Sequence, residues 1–309
     1  MKKLKFSQIA SEGGSTGMHL VMLDEHRHMW DAIYNFGRYR LRRVEGSNKW
    51  RQIGCGENYS AAIREDGTLW VRHFIGYTRR DKLTFFMDFM PIENASDCAQ
   101  LACGEAHIAV IKTDGTLWGY GESGYGQLAG IGTKKKLVPM DKGQWIQVSC
   151  GKWHTVALKA DGTLWGVGCN YHSQIGRIEG PGGLGDRTTL TQIEKDNDWV
   201  QVACGSNHTL AIKSDGTMWG VGLVDPVRTG CLKTFTQLGA SRDWLRVACR
   251  HSRIVEYRKD GTVKLDGRIL SDEIPGSISQ VALCLTSAAV LNSQGDLYVY
   301  PMYKFDTHE

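Results

Sequence analysis

Three copies of Cys-x-x-x-His, at Cys103/His107, Cys150/His154 and Cys204/His208, are the residues of this chain best suited to chemistry. A thiol and an imidazole at that spacing suit a zinc ion or a Cys–His nucleophile. Each copy supplies two ligands, whereas a structural zinc takes four. The equivalent position carries Tyr59, Arg253 and Ser287 elsewhere, with nothing to compensate. The pairs therefore read as a packing corner copied along the chain, and neither metal nor cofactor is expected. Cys55, Cys103, Cys150, Cys204 and Cys249 share one repeat position, as small buried hydrophobes do. The nine Cys show no close pairing pattern, so reduced thiols are expected rather than a disulfide framework. Gly180-Pro-Gly-Gly-Leu-Gly185 lacks the strand–Gly–helix context and the Lys-Ser/Thr ending of a phosphate cradle, and reads as a connecting loop. No Ser/His/Asp set or paired-carboxylate pattern emerges. No catalytic residue is assigned, and the chain is not expected to be an enzyme.

The elements that hold these residues are set by a pentad. Asp-Gly-Thr-Leu-Trp is complete at Asp66–Trp70, Asp114–Trp118 and Asp161–Trp165. It returns as Asp215-Gly-Thr-Met-Trp219 and, eroded, as Asp260-Gly-Thr-Val-Lys264. A period of roughly 35–55 residues with an internal turn marks a repeat architecture. Asp-Gly between apolar runs is a hairpin signal. Eleven residues before each pentad's Trp stands Tyr59, His107, His154 or His208. The same ruler finds His19 before Trp30, Arg253 before Lys264 and Ser287 before Tyr298, which makes seven units. A second constant segment opens each unit, near residues 6, 50, 98, 145, 199, 244 and 278, as in Trp145-Ile-Gln-Val-Ser-Cys150. Each unit thus reads as strand, Gly turn, strand, Asp-Gly hairpin and strand, followed by a variable stretch with room for a fourth strand.

The alternation suggests how units pack. With a two-residue turn, Leu158 faces Trp165 and Val156 faces Val167, while Ala157 and Thr155 face Gly166 and Gly168. One sheet face is then bulky and the other nearly smooth. Bulky faces docked on smooth ones suit sheets stacked around an axis, a β-propeller. Stability is then collective, each buried Trp or Leu contributing roughly 2–3 kcal/mol. The expected fold is all-β: a seven-bladed propeller of four-stranded antiparallel blades, forming a single domain over residues 1–309. Residues 1–6 or 299–309 are expected to close it by adding a strand to the other terminal blade, since an open edge invites aggregation.

The pattern Trp-x-x-Val-x-Cys-Gly-x-x-His-Thr-x-Ala-Leu-x-x-Asp-Gly-Thr-Leu-Trp-Gly-x-Gly resembles the regulator-of-chromosome-condensation (alpha-tubulin suppressor-like) repeat. Tyr120-Gly-Glu-Ser-Gly-Tyr-Gly-Gln-Leu128 keeps that family's Gly-x-Asn-x-x-Gly-Gln-Leu ending, with Glu122 for Asn. Gly168-Cys-Asn170 with Gln174-Ile175-Gly176 is a second copy. The resemblance is most specific in blades three to five and extends over about residues 6–300. It implies a seven-bladed propeller, and, from the family's founding member, guanine-nucleotide exchange or a chromatin- and nucleic-acid-associated role. Counterparts of the wedge and loop residues that exchange needs are not found here.

Composition agrees with a globular chain: 41% hydrophobic residues, 37 Gly and a net charge of +4. No apolar run approaches the ~20 residues that span a bilayer, so no membrane insertion is expected. The basic start, Met1 to Ser7, is followed by no apolar segment, so synthesis in the cytoplasm without a signal peptide is expected.

Partner-binding residues are sought where the repeats disagree. The stretches after the third strands are basic: Arg38, Arg40, Arg42 and Arg43; Arg72, Arg79, Arg80 and Lys82; Lys134, Lys135 and Lys136; Arg177 and Arg187. Gathered on one face, such charges attract nucleic acid, anionic glycan or an acidic protein surface; dispersed, they are a solvated rim. Blade two adds Phe74, Tyr77 and Phe85, and aromatic and Arg residues dominate interface energy. Residues 72–90 are the first choice for a binding segment.

The expected function is a non-catalytic protein-binding scaffold, in its most specific form a phage or viral structural component serving particle assembly or host attachment. The alternative is an exchange factor or chromatin-associated regulator. A glycosidase reading fails on the pentad aspartates, which belong at hairpin tips rather than around an axis.

Overall fold

The computed structural model describes residues 4–12, 19–35, 38–44, 49–57, 59–77, 84–177, 185–225, 230–284, 287–300 and 303–304. Every regular element among them is a β-strand. Seven antiparallel sheets follow one another, opening with Phe6–Glu12, Trp50–Cys55, Cys98–Cys103, Trp145–Cys150, Trp199–Cys204, Trp244–Arg250 and Ile278–Leu283. Six of them pair four strands in sequence order. In the second, the long third strand Leu69–Tyr77 pairs with two short segments, Thr84–Phe86 and Met90–Pro91. These sheets are the blades of a seven-bladed β-propeller. The blades group into two compact units: Met1–Asp97 with Ser271–Glu309, holding blades seven, one and two, and Cys98–Leu270, holding blades three to six.

The hairpin loop is one residue longer than the pentad suggests. Leu158 pairs with Leu164, Ala157 with Trp165, Val156 with Gly166 and Thr155 with Val167. Gly162 N–H donates to the Lys159 carbonyl at 3.0 Å, and Gly162 has φ 82°. A type I turn closed by a left-handed bulge residue is a three-residue loop. Asp161 fixes it: its Oδ1 accepts from Thr163 N at 3.0 Å and Thr163 Oγ1 at 2.6 Å. Thr163 Oγ1 in turn accepts from Trp165 Nε1 at 2.9 Å. A shift of one residue moves side chains to the opposite face. Leu158, Leu164 and Val156 therefore share a face with Gly166, and Trp165 joins Ala157 and Val167. The faces still complement each other between blades. In the second unit, Val156, Leu158 and Leu164 of blade four bury against Ala211, Val221 and Trp219 of blade five.

The first-strand glutamine joins neighbouring blades. Gln201 Nε2 donates to the Val247 carbonyl and its Oε1 accepts from Val247 N, both at 2.9 Å. Gln147 holds Val202 at 3.1 and 3.0 Å in the same way. The amide thus supplies two ladder bonds that inner strands of separate sheets lack.

Among the described residues, the terminal strands pair within their own blades. Phe6–Glu12 pairs with His19–Asp24, and Tyr303–Lys304 pairs with Leu297–Tyr300, each within its own blade. Blades seven and one are joined inside the first unit by other means. Gln280 Nε2 donates to the Ile9 carbonyl at 2.7 Å and its Oε1 accepts from Ile9 N at 3.0 Å. Phe6 N donates to the Gly295 carbonyl at 3.0 Å, and Lys5 pairs with Asp296 at 3.0 Å.

Candidate interaction surface

The chemically capable residues are committed to the scaffold. His107 Nε2 lies 3.1 Å from Thr155 Oγ1, on the next blade, and His154 Nε2 lies 3.2 Å from Thr209 Oγ1. Each threonine hydroxyl spends its proton on a carbonyl, Thr155 on Gln127 at 2.8 Å and Thr209 on Gln174 at 2.6 Å. The hydroxyls must then accept from the imidazoles, so both rings carry their proton on Nε2. Burial pushes His107 down to about 4 and His154 to about 3, so both stay neutral. Burial also pushes the Cys204 thiol up to about 11 and raises that of Cys150. A neutral, buried thiol is a poor nucleophile. Among the described residues no three His, Cys, Asp or Glu side chains gather to hold a metal. The pentad tryptophans are likewise occupied: Trp165 packs edge-on against Trp145 at 6.3 Å, with Lys159 Nζ 4.0 Å from its ring centre.

One predicted binding residue is withdrawn. Arg72 is 3% exposed and its Nη1 and Nη2 donate to Asp31 at 2.8 and 2.5 Å. Its guanidinium also stands 4.8 Å from the Phe89 ring. A side chain spent on the joint between blades one and two offers nothing to a partner. Arg79, Arg80 and Lys82 lie outside the described residues. Phe74, Tyr77 and Phe85 sit on strands, Phe74 opposite Phe86 and Phe85 opposite Gly76, with side chains outside the described set. The same holds for Arg38 and Arg40, which pair with Asn35 and Ile33. Arg42 and Arg43 are exposed in the first unit, while Lys134, Lys135 and Lys136 open the strand Lys134–Asp141 in the second.

The second unit presents a further set of groups, which the sequence reading passed over. After the third strands of blades three and four the chain forms two tight loops. In the first, Ser123, and not Glu122, stands at the Asn position of the repeat ending: its Oγ donates to the Gly130 carbonyl at 2.5 Å and accepts from Leu128 N at 3.0 Å. In the second, Asn170 does both jobs, to Gly176 at 2.9 Å and from Ile175 at 3.0 Å. Gln127 and Gln174 pin the loops from within, accepting from Tyr125 N and His172 N at 3.0 and 2.9 Å. The rigid loops hold Ile131 60% and Tyr171 62% exposed. Tyr125 stacks on Trp153 at 4.8 Å, and Lys152 Nζ stands 4.4 Å from the Trp153 ring. The residues escaped notice because they lie inside a motif that looked like scaffold; the one signal was that Tyr171 and Gly124 differ at equivalent positions.

Two family profiles, both described as the regulator of chromosome condensation (RCC1) repeat, match the chain, one over residues 98–127 and 145–174, the other over 114–158 and 161–212. Residues 98–212 carry RCC1 repeats, and the seven-bladed fold is that of an RCC1-like propeller. The blades outside the matched residues keep the same strand order and the same first-strand and hairpin registers. No curated protein matches the sequence. Among solved structures, human WBSCR16 is similar at 19% identity and a TM-score of 0.69, over 84% of this chain and 78% of that one. Yeast Prp20, from Saccharomyces cerevisiae, is similar at 18% identity and a TM-score of 0.67, over 84% and 71%. The ectodomain of the Arabidopsis thaliana receptor kinase ACR4 aligns over 98% and 97% at 11% identity, with a TM-score of 0.60. At such identities the likeness is one of fold.

Proposed function

We propose that this RCC1-repeat chain is a non-catalytic scaffold that binds protein partners through the loops after its third strands. One observation carries the reading. The copied His side chains are buried in the scaffold and the copied Asp side chains close their own hairpins, while exposed Tyr171, Ile131, Met90 and Arg177 do not repeat, and exposed aromatic and Arg residues are favoured where partners bind. Rigid propeller cores suit such loops. Yeast Prp20, similar in fold, is bound to Kap60 in one solved structure, and another concerns its binding properties to Gsp1p and histones.

A photo-crosslinking residue placed at Ile131 or Tyr171 is expected to capture a defined protein in the producing cell, and one at Ala160, on a hairpin tip, is not. Absence of any loop-specific adduct ends the proposal. In its most specific form the scaffold is a component of a phage or viral particle, serving assembly or host attachment. That form draws on the eroded repeats of blades one, six and seven, and it requires the protein in repeated copies in purified particles. Acceleration of nucleotide release from a small GTPase would instead favour the exchange-factor alternative.

A further inference from the structure

We infer that the loop face of blades three to five takes an acidic segment of a partner protein that also carries apolar side chains. The inference rests on the protein-binding role proposed above and names the chemistry of the partner. Contacts across the second unit make the face continuous. Lys134 Nζ reaches the Ile131 carbonyl at 3.3 Å within the blade-three loop, and Tyr125 of that loop stacks on Trp153 of blade four. Cys169 N donates to the Trp153 carbonyl at 2.8 Å, which leads into the loop of Tyr171 and His172. Cys231 Sγ meets the His172 carbonyl at 3.0 Å, and Arg177 N donates to the Lys233 carbonyl at 2.7 Å, which carries the face onto blade five.

The charges along this path are unbalanced. Lys134, Lys135, Arg177 and Lys233 form no ion pair with a carboxylate among the described residues. Of the nearby acids, Glu105 is held by Lys152 at 3.0 Å, and Glu122 and Asp186 leave the cations in excess. Uncompensated cations beside exposed Tyr171 and Ile131 suit carboxylates interspersed with apolar groups. Nucleic acid fits less well. Strand-binding surfaces offer several aromatic faces on which successive bases stack, whereas among the described aromatic residues of this face Tyr171 alone is strongly exposed, Trp153 being covered by Tyr125 and approached by Lys152. The loops are locked by Ser123, Asn170, Gln127 and Gln174, so little ordering is needed on binding.

Fluorescence anisotropy with the full chain tests this. The probes are a labelled peptide of alternating Glu and Leu with a central Phe, its Gln-for-Glu counterpart, and oligothymidylate. The acidic peptide is expected to bind about 10-fold more tightly than the Gln peptide, weakening as salt rises. Lys134→Glu/Arg177→Glu and Tyr171→Ala should each weaken it about 10-fold, and Lys195→Glu should leave it unchanged. These side chains lie at the surface, and an unaltered melting temperature confirms the variants are folded. Equal binding of the Gln peptide overturns the acidic partner while leaving protein binding intact. Tighter binding of oligothymidylate overturns both. Failure of the acidic peptide to bind, or its indifference to the loop variants, overturns the inference.

Discussion

Arg72 of blade two grips Asp31 of blade one with both Nη atoms, at 2.8 and 2.5 Å, and His19 Nε2 reaches the same carboxylate at 3.2 Å. Measured from the pentad tryptophan, these charges stand where blade four carries Val167 and Gly166. Two blades have thus departed from the repeat together. Burial alone would raise the Asp31 carboxyl, but the hydrogen bonds and charge of Arg72, with His19 added, hold it well below the usual carboxylate range.

Breaking that pair from one side is expected to be costly. Arg72→Met leaves Asp31 buried and unpartnered by its main cation, a loss of about 3–5 kcal/mol. Asp31→Ala with Arg72→Met removes both charges and should recover at least half of that loss. Urea unfolding of the wild type, the single and the double variant measures the difference. A double variant as unstable as the single one would mean that the lost packing, rather than the stranded charge, sets the cost.

Acid should destabilise the second unit well before its carboxylates protonate. His107 and His208 titrate at about 4, and His154 at about 3, because burial disfavours the charged ring. Unfolded imidazoles titrate near 6.5. As pH falls below 6.5 the unfolded state therefore binds protons that the folded state refuses, and stability falls. At about 1.36 kcal/mol per pH unit, each ring contributes a loss of about 2 kcal/mol by pH 5. The Asp31 pair adds its own loss below pH ~5, growing as the unfolded carboxyl protonates while the folded one stays ionised. The urea midpoint should drop between pH 7 and 5, and His107→Gln should flatten the drop. A midpoint that does not move would show the rings to be solvated.

The fold was legible because its signals are periodic and local. The pentad and the residue eleven positions upstream register strands even in blade one. There Asp24 Oδ1 accepts from His26 N and His28 N at 2.8 and 2.9 Å, and Arg27 takes the glycine's place at φ 65°. The turn length was misjudged because Asp-Gly suits both two- and three-residue loops; what decides is that Asp161 must reach Thr163 N and Oγ1. Arg72 misled because a single Arg after a strand carries no mark of the distant Asp31 that neutralises it. Tyr125, Trp153 and Tyr171 were missed for the converse reason: their surface is assembled from two blades, and no linear spacing encodes it.

Removing residues 1–10 should destabilise the first unit strongly. The segment carries most of blade one's first strand, with Phe6 and Ile9 buried at 4% and 2% exposure. It also takes part in both glutamine joints of its blade, with Gln8 donating to the Arg51 carbonyl at 2.9 Å and Gln280 donating to Ile9. The two apolar side chains alone represent about 3–6 kcal/mol. Thermal unfolding is expected to begin at least ~5 °C lower, and an unchanged melting temperature would refute the joint. Gln280→Leu, which leaves the strand in place, should cost about 2–4 kcal/mol by stranding the Ile9 N–H and carbonyl.

Two hairpin glycines separate backbone strain from steric conflict. Gly162 and Gly261 both sit at positive φ, 82° and 89°, at equivalent turn positions. A Cβ on Gly162 would lie 2.0 Å from the Asn197 carbonyl oxygen, whereas one on Gly261 would meet nothing within 4 Å. Gly261→Ala should therefore cost only the left-handed penalty, about 1–2 kcal/mol. Gly162→Ala adds a clash with backbone that cannot yield without moving the start of blade five, where Trp199 N donates to the Gly162 carbonyl at 3.2 Å. Its cost should exceed that of Gly261→Ala by at least ~2 kcal/mol, in line with other strained core substitutions. Equal losses in urea unfolding would show that the loop before Trp199 relaxes freely, and that the hairpin of blade four does not set the position of blade five.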